Sequence, residues 1–342
     1  MTTPNFPISH EYFLDRTTIV YGPSGSGKST IIADILYYLK DHIAQIVVVC
    51  PTDKIHKTYS SGLVPPLLIH HELTQTLLDN IWERQEALTQ VAKLASDIKT
   101  LQSILQKTPG HENILAAEKS IRNKLEDNMK PIKDNPGAEE QINKMRENTE
   151  NVIIALYKNH IKKHRRDLLP RTDLTDEERI IVKNIDINPR LILILDDCTD
   201  QLNKLRTHRV IKQLFFQGRW ARITALFGIH SDTTLSPELK QGAFVNIFTT
   251  KNSALTYFDR ASTNKDKELA AEVRDRINEV YTHADQFQKL VWVRLENKFY
   301  KYTATPRRGF KFGSPIIWKF CDMAKRDDAG IDRTNRFIKK ML

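Results

Sequence analysis

The sequence predicts an α/β fold with a mainly parallel central sheet flanked by helices. An apolar strand at 19–21 is followed by a helix and then by a second, β-branched strand at 45–50. Strand, helix and strand in this order form a βαβ unit, which implies parallel pairing. Five consecutive aliphatic residues at 191–195 add a third strand, of the kind that is buried on both faces. The helix of the first unit is indicated by apolar residues at helical spacing: Ile31, Ile32, Ile35, Leu36 and Leu39.

The loop after the first strand carries a phosphate-binding motif. Residues 22–29 match G-x-x-x-x-G-K-[ST] at every fixed position, and the strand before and the helix after them disfavour a chance Gly/Ser turn. Glycines let backbone N–H groups face phosphate oxygens, Lys28 can reach the β- and γ-phosphates, and the Ser29 hydroxyl can bind Mg²⁺. We therefore predict an ATP and Mg²⁺ site with these nucleotide-binding residues: Gly22, Pro23, Ser24, Gly25, Ser26, Gly27, Lys28, Ser29 and Thr30.

Two carboxylates follow the aliphatic strand at 191–195. In open α/β sheets ligands bind at the carboxyl ends of the strands, so Asp196 is placed to hold Mg²⁺ together with Ser29. Asp197 is the candidate general base that polarises the attacking water. The alternative is a strand capped by an ordinary Asp-Asp turn, which the upstream P-loop disfavours.

Further strands are predicted at 222–228, 244–248, 291–295 and 299–302, the last two antiparallel to each other. His230 lies at the end of the strand at 222–228. In P-loop ATPases with an extra strand between the two motifs, a polar residue at this position contacts the γ-phosphate. His230 is our candidate; a structural histidine bonded to a neighbouring loop is the alternative.

A glycine-poor, highly charged stretch separates the two motifs. Its apolar stripe includes Val91, Leu94, Ile98, Leu101 and Leu105, and Pro-Gly pairs interrupt the helical pattern at 109–110 and 136–137. A further helix is predicted at 138–163. The predicted organisation is the first part of a P-loop core at 1–70, a helical insertion at 71–170, the second part of the core at 171–300 and a basic C-terminal tail at 301–342.

The charge balance favours an acidic partner. Lys and Arg number 52 against 42 Asp and Glu, a net charge of +10. One basic cluster closes the insertion at 162–166, and the tail from residue 301 has eleven Lys and Arg against four Asp. In the tail, Arg307, Arg308 and Lys311 alternate with Phe310 and Phe312. Both regions are either contacts to a nucleic-acid backbone or merely solvated surface.

Several classes of protein are disfavoured. Three distant cysteines, Cys50, Cys198 and Cys321, are too few for a disulfide framework or a zinc site. No apolar stretch reaches the roughly 18 residues of a membrane span, and we expect no secretory signal. The expected location is the cytosol, the nucleus or a viral equivalent.

These motifs together resemble a known family. The resemblance comprises the P-loop, the strand ending in Cys50-Pro51-Thr52, the acidic pair, residues 217–223 and the segment 235–248. The chain resembles the DNA-packaging ATPases of nucleocytoplasmic large DNA viruses, within the FtsK/HerA-like branch of the ASCE P-loop NTPases. It is similar over about 15–55 and 190–300. It departs from the family pattern at Trp220, where a histidine is usual, at His230, where a glutamine is usual, and in its larger helical insertion.

The resemblance implies a homo-oligomeric ring, hexameric or pentameric, that uses ATP to pull double-stranded DNA into a preformed capsid. ATP would lie between subunits, and an arginine of the neighbour would stabilise the transferred phosphoryl group. Arg219 is our candidate for that arginine and Arg222 the second; an intramolecular salt bridge or a helix C-terminal charge is the alternative. The insertion could supply a capsid or portal contact. The implied place of action is a virus assembly site in the host cytoplasm or nucleus, or the virion.

Two other functions remain open from the residues alone. One is a P-loop kinase, which the acidic pair fits less well than it fits activation of water. The other is a nucleotide-gated interaction protein with the helical insertion as its recognition arm.

Overall fold

The computed structural model describes residues 2–43, 45–132, 138–260, 267–282, 287–307 and 309–327. The chain divides into two units, one formed by Met1–Gln85 with Arg190–Leu342 and the other by Glu86–Pro189. The predicted break at 135–137, Arg308 and the tail beyond residue 327 lie outside the described residues.

The first unit contains the sheet. Its strands are β1 (Thr17–Tyr21), β2 (Gln45–Val49), β3 (Ile69–His70), β4 (Leu191–Asp196), β5 (Ile223–Ile229), β6 (Val245–Phe248), β7 (Gln288–Val293) and β8 (Lys298–Thr303). The α-helices of the whole chain are α1 (Lys28–Leu39), α2 (Asp53–His56), α3 (Gln75–Leu94), α4 (Ile98–Gln106), α5 (His111–Met129), α6 (Ala138–Lys163), α7 (Arg165–Leu168), α8 (Asp176–Lys183), α9 (Thr199–Leu205), α10 (Arg209–Phe216), α11 (Pro237–Gly242), α12 (Lys251–Arg260), α13 (Lys267–Thr282) and α14 (Pro315–Asp327).

The sheet has the strand order β3-β2-β4-β5-β1-β6-β7-β8. The first six strands of this order are parallel, and β7 and β8 continue the sheet as an antiparallel pair. Strand β5 lies between β1, which leads into the P-loop, and β4, which ends in the acidic pair. The predicted fold class, a P-loop NTPase with an extra strand between its two motifs, is confirmed.

The sheet is buried on both faces, which explains its continuous aliphatic strands. Successive side chains of a strand point to opposite faces, and neighbouring residues of β1 accordingly join different cores. Ile19 packs in the cluster with α10 and α12, whereas Val20 packs with the apolar face of α1. Parallel pairing and helices on both faces place the carboxyl ends of β1, β4 and β5 at one sheet edge.

The second unit is helical and has its own core. Leu101 of α4, Tyr157 of α6 and Ile181 of α8 are buried together in it. The unit spans Glu86–Pro189, whereas the sequence placed the insertion at 71–170. The N-terminal half of α3 accounts for part of this difference, because its Leu78 and Trp82 pack into the core of the first unit.

Two helical stretches are each divided in the structure. The apolar stripe from Val91 to Leu105 spans α3 and α4, because the Asp97 carboxylate accepts a hydrogen bond from Thr100 N–H and starts a new helix. The stretch between β4 and β5 likewise forms two helices, α9 and α10, and His208 caps the second of them at Val210 N–H.

Among the described residues, no helix combines the length and the apolar character required to span a membrane. The three cysteines, all of which are described, are buried and free.

Candidate active site

The P-loop connects β1 to α1, and its glycines are required by geometry. Gly25 (φ 73°) and Gly27 (φ 93°) adopt the left-handed conformation that favours glycine. A side chain at Gly22 would come within 1.6 Å of Thr249 Oγ1. Gly27 is the N-cap residue of α1, so the helix begins at Lys28 with its unpaired N–H groups directed at the loop. The loop thus has the glycine-dependent turn and the helix N-terminus that the motif requires, and anion binding there stays a prediction.

Lys28 lies folded back against its own loop. Its ammonium group donates to Gly22 O at 3.1 Å and Pro23 O at 3.2 Å, and it is 3.7 Å from Asp197 Oδ1. Ser26 Oγ donates to Pro23 O and accepts from Thr249 Oγ1, which fixes the middle of the loop. Of the other predicted nucleotide-binding residues, Ser24 is exposed in the loop and Thr30 is exposed on α1.

Ser29 and Asp196 meet as predicted from the two motifs. Ser29 Oγ is 3.3 Å from Asp196 Oδ2, and the Tyr59 hydroxyl donates to the same oxygen at 2.7 Å. Within the described residues no group of three or more His, Cys, Asp or Glu side chains could hold a metal ion. Mg²⁺ is usually held by one or two carboxylates, waters and substrate phosphates. The oxygen pair of Ser29 and Asp196 fits that chemistry.

Asp196 is held in an unfavourable environment for a carboxylate. It is 1% exposed, and its Oδ1 is buried with no hydrogen-bond partner among the described residues. This oxygen approaches Gly228 so closely that a Cβ there would lie 2.0 Å from it. Burial raises the pKa of Asp196, although the hydrogen bond from Tyr59 opposes the shift. A bound divalent cation would offset this cost.

We expect Asp196→Asn to stabilise the metal-free protein. The amide keeps the shape of the side chain and still accepts from Tyr59, while the buried charge disappears. The pKa of Asp196 is raised in the folded state, so between the ordinary aspartate pKa and the raised one the folded protein binds more protons than the unfolded chain. The free energy of unfolding therefore falls as the pH rises through this range. At neutral pH in EDTA, the melting temperature should rise by about 2–4 °C.

The same measurement near pH 4 provides the control. There a larger fraction of the wild-type Asp196 carboxylates is protonated than at pH 7, because the pKa of this group is raised, so the difference between the two proteins should shrink. A variant that melts below the wild type at pH 7 contradicts the prediction.

Asp197 is held by three side chains at the carboxyl end of β4. Thr52 Oγ1 donates to its Oδ2 at 2.8 Å. His230 Nε2 lies 3.0 Å from its Oδ1, and Lys28 Nζ lies 3.7 Å from the same oxygen. Its backbone has φ 55°, an uncommon conformation for a non-glycine residue, and its N–H donates to Gly228 O. Such conformations persist where the surroundings fix them, often at functional sites.

His230 lies just beyond β5, at the sheet edge where β1 ends in the P-loop and β4 in the acidic pair. With a proton on Nε2, its ring donates to Asp197. His230 thus lies at the predicted strand end, and in the ligand-free chain it has the bond to a neighbouring loop that the alternative describes. Its contact with a γ-phosphate stays a prediction.

Three further side chains belong to the site and were not predicted. Thr52 bonds Asp197, Tyr59 bonds Asp196 and Thr249 bonds Ser26. Thr52 and Thr249 stand just after the ends of β2 and β6, where the rule that ligands bind at strand ends could have found them. Tyr59 had no such signal, because it reaches Asp196 from a loop ten residues beyond β2.

Arg219 and Arg222 lie at the opposite edge of the sheet. Both precede β5, whereas the P-loop follows β1, its parallel neighbour. The amino ends of these parallel strands, where the arginines lie, are therefore about 20 Å from their carboxyl ends, where the P-loop lies. Arg222 Nη1 donates to Asp15 at 3.1 Å within its own chain. Arg219 is exposed beside Trp220, which is 80% exposed.

The predicted basic regions have different environments. In the helical unit, Lys162 pairs with Asp186 at 3.1 Å, while Lys163 and Arg166 are exposed. In the tail, Arg307 is not available for a nucleic-acid backbone, because its Nε donates to the buried Asp34 carboxylate at 2.7 Å. Phe312 is fully buried, and Lys311 stacks 4.9 Å from the ring of Trp318.

Comparison with known proteins gives viral relatives. Protein B354L of African swine fever virus (isolate Tick/Malawi/Lil 20-1/1983) is 30% identical over 359 residues, covering 98% of this chain and 96% of that protein. The same protein of the virus strain Badajoz 1971, Vero-adapted, has the same identity and coverage. No family model matches the sequence.

Solved structures give more distant similarities. The genome packaging NTPase B204 from Sulfolobus turreted icosahedral virus 2, in complex with AMP, has 11% identity and a TM-score of 0.43. That similarity covers 85% of this chain and 98% of B204. The plasmid coupling protein TrwB in complex with GDPNP has 12% identity and a TM-score of 0.39 over 92% of each chain.

Proposed function

The chain belongs to the family of protein B354L of African swine fever virus, a nucleocytoplasmic large DNA virus, and we propose that it is an ATPase that moves double-stranded DNA into the viral capsid. One observation carries the ATPase part of this proposal. Two segments far apart in sequence meet at one sheet edge, where Ser29 Oγ is 3.3 Å from Asp196 and Lys28 Nζ is 3.7 Å from Asp197. Phosphate binding, metal binding and water activation are thereby available at one place.

Each residue of this cluster has a distinct role in the proposal. The P-loop N–H groups and Lys28 bind the phosphate oxygens, and Ser29 and Asp196 hold the metal ion. Mg²⁺, when bound, neutralises charge that develops on the β- and γ-phosphate oxygens. Asp197 accepts the proton of the attacking water. Its second oxygen is fixed by Thr52, so one carboxylate oxygen remains directed at Lys28 and His230.

We assign His230 to the γ-phosphate. In the ligand-free chain its ring is paired with Asp197, so a phosphate that draws the ring away would also free a carboxylate oxygen for water. Binding of the triphosphate and activation of the base would then be coupled through one hydrogen bond.

A ring of identical subunits would complete the site. Arg219 is about 20 Å from the P-loop of its own chain, so it can serve only the site of a neighbour. It is exposed and has no ion pair within the described residues, as a group that inserts into another subunit requires. We propose Arg219 as the arginine that stabilises the transferred phosphoryl group.

The DNA and capsid contacts are proposed from charge and position. Lys163 and Arg166 are exposed in the helical unit, and the chain carries a net charge of +10, which favours a phosphate backbone. We propose that the helical insertion, Glu86–Pro189, contacts the capsid or portal. The proposed place of action is the virus assembly site in the host cytoplasm or nucleus, or the virion.

The decisive experiment measures ATP hydrolysis by the purified protein with and without double-stranded DNA. We expect DNA to stimulate hydrolysis at low salt. We expect Lys28→Ala to lower the rate at least about 10²-fold, because a charged donor aimed at the transferred phosphate is lost. Released phosphate is measured in both cases.

Lys204→Ala is the matched control, since this lysine is exposed on α9 outside the cluster. It should hydrolyse ATP like the wild type. An active wild-type protein whose rate is the same with and without DNA contradicts the translocase proposal. Equal rates for Lys28→Ala and the wild type contradict the site itself.

A further inference from the structure

A cavity of about 510 Å³ adjoins the P-loop. One wall is the exposed side of α1, formed by Ser29, Thr30 and, one turn further, Ala33. The other walls come from two loops, one after β2 and one after β8. Their lining residues are Thr58, Ser61, Gly62 and Leu63 from the first loop and Pro306, Arg307, Gly309, Phe310 and Lys311 from the second. The volume lies within the range of small-molecule sites, about 300–1,000 Å³. None of the motifs in the sequence predicts this cavity.

The wall after β8 is fixed to α1 by a buried carboxylate. Asp34 of α1 accepts hydrogen bonds from the Tyr302 hydroxyl at 2.5 Å, Thr305 N–H at 3.0 Å and Arg307 Nε at 2.7 Å. The guanidinium of Arg307 also stacks 3.9 Å from the centre of the Tyr37 ring. Three donors on one carboxylate, together with this stacking, hold the segment in a single position against the helix that carries the P-loop.

The two loop walls are also joined to each other. Phe312 is fully buried, and its N–H donates to Leu63 O at 2.8 Å. The ring of Phe310, which lines the cavity, packs at 76° to Tyr37 and at 89° to Phe312. The aromatic wall of the cavity is thus held in place before any ligand binds.

We propose that this cavity binds the ribose and base of the nucleotide whose phosphates bind the P-loop. This inference rests on the proposed ATP site. Thr30 stands between the phosphate-binding turn and Ala33, so a nucleotide that extends from the phosphates along the exposed side of α1 enters the cavity. Phe310 supplies an apolar ring for the base, and the hydroxyls of Thr58 and Ser61 supply hydrogen bonds to polar atoms of the nucleoside.

The segment after β8 therefore has a role in the first unit beyond contributing basic charge. Arg307 acts through Asp34 and is a positioning residue: it fixes Phe310 rather than contacting a phosphate. Phe310 would contact the base from about 280 residues beyond the P-loop in the sequence, whereas Thr58 and Ser61 are only about 30 residues beyond it.

The test compares two probes that share a triphosphate but differ in the nucleoside. Binding of Mg·ATP and of inorganic tripolyphosphate with Mg²⁺ is measured by titration calorimetry on the full chain. Phe310→Ala should weaken ATP binding about tenfold, the order expected when a base loses an aromatic partner. It should leave tripolyphosphate affinity unchanged. Ala33→Leu, which fills the cavity from a helix and needs no change in the P-loop, should have the same selective effect.

Two further variants separate this inference from the proposed ATP site. Lys28→Ala should weaken both probes, and Phe216→Ala, which removes a half-exposed ring outside the cavity, should change neither. Wild-type ATP affinity in both Phe310→Ala and Ala33→Leu overturns the nucleoside cavity while leaving the ATP site intact. An equal loss of both probes in these variants overturns it as well. If Lys28→Ala binds both probes like the wild type, the ATP site fails and the cavity proposal fails with it.

Discussion

Replacing Asp197 by Asn is expected to abolish most ATP hydrolysis while preserving ATP binding. A positioned general base contributes about 10²–10⁴-fold to a rate, and the amide cannot accept the proton of water. Asn still accepts the hydrogen bond from Thr52, so the loop after β4 should keep its shape. Loss of the charge 3.7 Å from Lys28 leaves the ammonium freer to bind phosphate. We therefore expect kcat to fall 10²–10⁴-fold and the affinity for Mg·ATP to stay equal or to rise.

Single-turnover hydrolysis and equilibrium nucleotide binding measure the two effects separately. Asp200→Asn, three residues further along and exposed on α9, is the matched control and should retain wild-type turnover. This experiment also separates a motor from a nucleotide-gated switch. If Asp197→Asn loses turnover yet still supports the biological role of the chain in infected cells, ATP binding alone suffices and the motor proposal is wrong. If the variant retains turnover, Asp197 is not the base.

The nucleotide-binding core was predictable because its signals are local. The P-loop is eight consecutive residues with fixed glycines, and the acidic pair directly follows an uninterrupted aliphatic strand. Each motif demands one backbone geometry, and the rule for parallel sheets brings the strand ends to one edge. The structure places Lys28 near Asp197 and Ser29 near Asp196 accordingly.

Other parts of the site depend on chain folding over long distances. The hydroxyl of Tyr59 reaches Asp196 across 137 positions, and Arg307 reaches Asp34 across 273. Nothing in the local pattern around Tyr59 or Asp34 indicates these partners. Arg307 illustrates this limit: from composition, a cation beside aromatics is either a nucleic-acid contact or solvated surface, whereas in the structure its partner is a buried carboxylate.

The limits of the helical insertion were hard to place for a different reason. Amphipathic periodicity shows that a helix buries one face, but not which core receives that face. Leu78 and Trp82 have the same spacing pattern as the insertion, yet they pack in the core of the sheet unit. Within the stripe, α3 ends before Asp97 and α4 begins after it. The Asp97 carboxylate bonds a backbone N–H of the next turn, and such a local bond competes with the hydrogen bonds that would continue the first helix.

Removing the carboxylate of Asp34 should destabilise the protein by about 3 kcal/mol, the order found when one partner of a buried ion pair is deleted. Asp34→Ala leaves Arg307 without its ion-pair partner, and it leaves the buried Tyr302 hydroxyl and Thr305 N–H without their acceptor. Burial and the bond to Asp34 raise the pKa of Tyr302 far above its ordinary value, so this phenol stays a donor at every accessible pH. Urea unfolding of the nucleotide-free protein, with its midpoint and slope, measures the loss.

A double-mutant cycle tests whether the pair itself is responsible. If Asp34 and Arg307 stabilise the segment after β8 together, the effects of Asp34→Ala and Arg307→Ala will be less than additive, with a coupling of about 1–3 kcal/mol. Asp34→Asn keeps an acceptor for Tyr302 and should fall between the wild type and Asp34→Ala. Additive effects, or a loss below about 1 kcal/mol for Asp34→Ala, contradict the prediction. Because the same carboxylate positions Phe310, a measured coupling would mean that the stability of this segment and the shape of the cavity beside the P-loop are set by one ion pair.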